Sequence, residues 1–113
     1  MITGVHTVLF TPDPDGMRAF FGEVLGLRSV DAGGGWLIFA LPPAEIAAHP
    51  AAEPGAPELY LMCDDVDATV AQLREKGVTT GRPVHDEGWG RVTSIGLPGG
   101  GEIGLYEPRH PTP

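Results

Sequence analysis

One order of elements occurs twice along the 113 residues, and that repetition restricts the fold more than any single motif does. Residues 4–11, GVHTVLFT, are β-branched and apolar and predict a strand. A helix follows. Asp13 is placed to cap it, Pro14 suits the first helical position, and Asp15 favours the positive end of the helix dipole. Met17, Phe20, Phe21, Val24 and Leu25 then recur at helical spacing on one side, and Gly26 stands as a C-cap. Three short strands are expected over 27–31, 36–41 and 44–49, divided by the Gly33-Gly34-Gly35 turn and the Pro42-Pro43 break. After a linker at 50–57 the order returns: a strand at 58–63, a helix capped by Asp64 or Asp65 and ended by Gly77, and strands near 78–84, 90–97 and 102–107. The two halves also close on similar letters, A-L-P-P-A-E-I-A-A-H-P at 40–50 and G-L-P-G-G-G-E-I-G-L-Y-E-P at 96–108. The expected fold class is therefore α+β, one domain over 1–113 with modules of about 1–50 and 57–107. The tail 108–113 is expected to fray.

Composition fits this reading. The 17 glycines and 12 prolines lie between apolar runs and act as turn punctuation. The net charge of −8 argues against nucleic acid and suits a cationic ligand. With a single cysteine, no secretory leader pattern and no apolar run near the ~20 residues of a membrane helix, the expectation is a cytoplasmic protein that does not engage a membrane. The fingerprints GxGxxG, P-loop, CxxC and G-x-S-x-G are absent.

Strand side chains alternate, and the helices must cover an apolar sheet face. In 58–63 that face is Leu59, Leu61 and Cys63, which makes Cys63 a small core residue; in 102–107 it begins Ile103, Leu105. The opposite, open face gathers His6, Phe10, Glu45, His49, Glu58, Tyr60, Glu102 and Tyr106. A concave, largely apolar surface with a few polar groups suits a small molecule. Trp36 and Trp89 are further flat walls for an aromatic or cationic guest, Trp89 from a G-W-G loop or strand end. Glu58 or His6 is a candidate general base.

The opening V-H-T-V-L-F with F-F-G-E-V-L-G-L at 20–27, and the run E-L-Y-L-M-C-D-D-V-D-A-T-V at 58–70, resemble the vicinal oxygen chelate superfamily, which holds glyoxalase I, extradiol dioxygenases and bleomycin-resistance proteins. The likeness extends over about 1–107. It implies two βαβββ modules forming a cupped mixed sheet around a cleft, and a homodimer. It also implies a divalent metal (Zn, Ni, Fe or Mn) held from the first and last strands of each module. Of the four ligand positions the resemblance points to, His6 is retained, Glu58 stands where His is usual, and Ala47 and Gly104 cannot ligate by side chain. A displaced site would draw on His6, His49 and Glu58, or on Glu107 if the last strand slips by one residue. The expectation is a small-molecule binder of the resistance type without the full metal site. The alternative is a metal-dependent lyase, isomerase or dioxygenase using His6 and Glu58.

Overall fold

Asp13 starts the first helix as its side chain predicts. In the computed structural model, which describes residues 7–45, 47 and 50–111, the Asp13 carboxylate accepts from the Gly16 N–H at 3.0 Å and α1 runs over Pro14–Ala19. The helix then widens into a π-helical turn over Phe20–Val24 and ends at Gly26, whose positive φ of 69° ordinary residues resist. Met17 and Phe20 are buried, and Phe21, Val24 and Leu25 pack beside them, so the whole stripe faces inward.

Strands β1 (Ser29–Asp31) and β2 (Leu37–Phe39) form an antiparallel hairpin that pairs with nothing else among the described residues. Its turn demands glycine, because Gly33, Gly34 and Gly35 all take positive φ. The Phe39 ring meets Phe21 edge-on at 5.3 Å and holds the hairpin to the helix. The rest of the first module departs from expectation. Residues 7–11 carry no strand pairing, and residues 4–6 lie outside the described residues. Ala44, Glu45 and Ala47 form no strand, while Ile46, Ala48 and His49 lie outside the described residues.

The second module is complete. β3 (Tyr60–Met62), α2 (Val66–Glu75), β4 (His85–Asp86), β5 (Gly90–Gly96) and β6 (Glu102–Pro108) give a four-stranded sheet in the order β3-β6-β5-β4. β3 runs parallel to β6, and the other pairs are antiparallel. Asp65 caps α2 by accepting from the Ala68 N–H at 3.0 Å, and Gly77 ends it with φ 83°. The strand expected near 78–84 falls later, at His85–Asp86, with only a bridge from Thr80 to Ile95 before it. Pro83 explains the shift: it has no N–H to give a ladder. The tail does not fray at 108. β6 pairs as far as Pro108 opposite Gly90, and the Arg109 N–H donates to the Trp89 carbonyl at 2.9 Å.

The core joins Phe20 to Val66, Val70 and Leu73 of α2 and to Ile95, Ile103 and Leu105 of the sheet. Leu59, Leu61 and Cys63 pack against it. The alternation deduced for 58–63 and 102–107 is the one observed. Burial pushes the Cys63 thiol up, the reverse of what a nucleophile needs.

Candidate functional site

The sheet's other side is open, and register decides what it presents. Val92 lies opposite Tyr106, Ser94 opposite Gly104, and Tyr60 beside Gly104. Small residues in the middle of β5 and β6 leave room for rings from the rim. Tyr60, Trp89 and Tyr106 meet there as a mutual edge-to-face cluster. Their centroids are 6.1 Å apart for Tyr60–Trp89, 5.8 Å for Tyr60–Tyr106 and 5.3 Å for Trp89–Tyr106, with interplanar angles of 88°, 84° and 72°. That is the arrangement ring quadrupoles favour. Tyr60 and Trp89 remain 39% and 43% exposed while Tyr106 keeps 8%, so the first two offer the surface and the third backs them.

Acidic groups border the rings. The Tyr60 hydroxyl donates to Glu58 Oε2 at 3.1 Å. Burial and then that hydrogen bond hold the Tyr60 phenol above the usual tyrosine value, with Glu87 adding and Arg82 opposing. Burial raises the Tyr106 phenol too, and the nearby Glu45 carboxylate adds to it. At the far end the Ser94 hydroxyl donates to Glu102 Oε2 at 2.8 Å.

The expected site residues divide into three groups. Glu58, Tyr60, Trp89 and Tyr106 come together. Phe10 stands 95% exposed outside the cluster, and Trp36 sits on the β1–β2 hairpin with the Arg18 guanidinium 5.9 Å from its ring. His6 and His49 lie outside the described residues. Residue reasoning missed His110, whose Nε2 lies 3.0 Å from the Tyr106 hydroxyl. A polar side chain four residues past an open-face tyrosine was the available signal.

The metal positions fit poorly. The Tyr60 ring lies directly on Gly104, and a Cβ there would collide with it, so that position is closed to any larger side chain. The Glu58 carboxylate is engaged by Tyr60. The strand slip that would turn Glu107 inward does not occur: β6 pairs without interruption from Glu102 to Pro108, and Glu107 Oε1 accepts from the Val66 N–H at 3.1 Å, on the helix side. Among the described residues, no three His, Cys, Asp or Glu side chains gather as a metal would require. Two members of the displaced set, His6 and His49, lie outside the described residues.

A βαβββ unit whose first strand pairs in parallel with its last, covered on one side by a helix, sets the molecule in the α+β class. Residues 4–109 match the family model of the Glyoxalase/Bleomycin resistance protein/Dioxygenase superfamily, and the chain belongs to that superfamily. Among solved structures it is similar to TnmS3, an antibiotic binding protein from Streptomyces sp. CB03234, with 30% identity, 96% of this chain and 99% of that one covered, and a TM-score of 0.64. A glyoxalase/bleomycin resistance protein from the same organism shows 31% identity over 85% of this chain and 92% of its own, with a TM-score of 0.58. A lactoylglutathione lyase from Agrobacterium tumefaciens shares the fold at 20% identity, with 93% of this chain and 92% of that one covered and a TM-score of 0.61. No curated protein matches the chain. No helix among the described residues is long and apolar enough to cross a membrane.

Proposed function

We propose that this chain binds and sequesters a flat, small organic molecule, preferably a cation, on the open face around Tyr60, Trp89 and Tyr106, without a metal at the superfamily's usual place. The observation that carries the reading is the Tyr60 ring lying on Gly104. An aromatic surface stands where a metal ligand would project. Glu58, Glu87 and Glu45 supply negative charge around it, and a ring face bordered by carboxylates favours a cationic aromatic guest. The 30% identity to an antibiotic binding protein supports the same reading.

The test is metal analysis of protein purified without chelator, paired with a titration of the flat cation proflavine. The reading expects no stoichiometric metal and saturable binding that Tyr60→Ala and Trp89→Ala weaken. Stoichiometric zinc, nickel, iron or manganese that is lost in His6→Ala would establish the metal-dependent alternative instead.

The binding unit is a homodimer in this proposal. The chain exposes 8294 Å², where a compact protein of 11.9 kDa exposes about 6,000 Å². Its radius of gyration is 15.0 Å, against about 13 Å for a compact chain of this length. The excess surface is more than the ~800 Å² per partner that a standard interface takes. Val30, Trp36 and Leu41 supply exposed apolar side chains for it.

A further inference from the structure

The residues beyond β6 are tied to the open face at three points. The Arg109 N–H donates to the Trp89 carbonyl at 2.9 Å. The Arg109 guanidinium donates to Asp86 Oδ2 at 2.6 Å. The His110 ring lies 5.9 Å from the Tyr106 ring, with Nε2 at 3.0 Å from its hydroxyl.

Asp86 has a second contact. Its Oδ1 accepts from the Gly88 N–H at 2.8 Å, and the Glu87 N–H donates to the Gly90 carbonyl at 2.9 Å, so the turn carrying Trp89 is closed from within. The Gly88 bond, reinforced by the Arg109 charge, keeps the Asp86 carboxyl below the usual range. One carboxylate thus fixes the Trp89 turn and anchors Arg109 against it. His110 Nδ1 lies 2.9 Å from the Pro111 carbonyl. An acceptor there places the imidazole proton on Nδ1, so Nε2 accepts from the Tyr106 hydroxyl.

We infer that Arg109 and His110 form a strap that positions the aromatic wall, Arg109 through the Trp89 turn and His110 through Tyr106, and that affinity for a flat guest depends on this strap. The inference rests on the reading of the open face as a ligand site. Both are positioning residues that act through the rings. The strap is nearly neutral for folding, because an exposed ion pair and a bond at the sheet's end add little stability. Its effect falls on binding, where an anchor that must be ordered by the guest weakens the complex.

The test uses two variants: the chain ended at Pro108, and full-length R109A/H110A. The parent and both variants carry Trp36→Phe, which keeps an apolar ring on the β1–β2 hairpin and leaves Trp89 as the single reporter of the chain's 2 tryptophans. Time-resolved anisotropy reads the freedom of Trp89, a thermal melt reads the fold, and proflavine, a flat cationic acridine absorbing in the visible, reads binding. Melting close to that of the parent, faster Trp89 depolarisation and proflavine affinity lowered roughly five- to tenfold are expected. Arg109→Lys, which retains the ion pair, recovers most of the affinity. If the shortened chain fails to fold, the full-length double variant decides. Anisotropy unchanged from the parent overturns the inference. A freer Trp89 with undiminished proflavine affinity overturns the link from strap to binding. A parent that does not bind proflavine counts against the ligand site itself, and the anisotropy still decides whether the strap positions Trp89.

Discussion

At the scale of single residues, Gly104 and Tyr60 are one unit, because the ring occupies the space a side chain at 104 would need. Gly104→Ala therefore forces Tyr60 off the sheet and costs about 1–3 kcal/mol. Denaturant unfolding should show that cost shrinking when Tyr60→Gly is added. Gly104→Glu, which restores a carboxylate at the superfamily's usual ligand position, is expected to take up no divalent metal unless Tyr60 is removed as well. The chain's 2 tyrosines both belong to the cluster, so phenolate absorbance reports the site alone. Both phenols are raised, chiefly by burial. Each stays neutral in the folded protein at a pH where the unfolded chain ionises. Their contribution to stability is whole below pH ~10 and is lost as pH climbs from there through the folded values. An absorbance titration should give midpoints above that of free tyrosine, returning to it in urea. Midpoints at the free value would contradict the burial of Tyr106.

At the scale of elements, legibility followed local chemistry. Both helix starts were written in Asp13-Pro14 and the Asp64-Asp65 pair, of which Asp65 is the cap, and alternation alone assigned Leu59, Leu61, Ile103 and Leu105 to the core side. What alternation cannot encode is which ring folds over which glycine. The Tyr60–Gly104 contact depends on the parallel β3–β6 register, set by residues more than 40 positions apart. Pro83 displaced a strand that periodicity placed too early. Nothing in the Pro-rich tail's own letters shows that it is held, because its partners, Trp89 and Asp86, lie on another strand pair. The letters around Glu107 likewise give no sign that its carboxylate sits on the α2 N-terminus. Glu107→Ala should lower stability by about 1 kcal/mol, the worth of a carboxylate at a helix N-terminus. Calorimetric titration should find ligand affinity unaffected. A large loss of affinity would return Glu107 to the site.

At the scale of the whole molecule, the repeat was plain in the letters, yet only its second copy is a complete module among the described residues. The β1–β2 hairpin is held by Phe39 on Phe21 and pairs with no strand of the larger sheet. A chain this open has apolar surface to spare, and light scattering at micromolar concentration is expected to give twice the 11.9 kDa chain mass. A monomeric mass would leave Val30, Trp36 and Leu41 in water without a partner.

The central claim is that the open face holds a guest through its rings and not through a metal. Calorimetric titration of the flat cation proflavine into chelator-free protein, with metal content measured on the same sample, tests it most directly. Saturable binding at less than one-tenth metal per chain, weakened in Tyr60→Ala, is the predicted result. Binding that requires stoichiometric metal and survives Tyr60→Ala would contradict it.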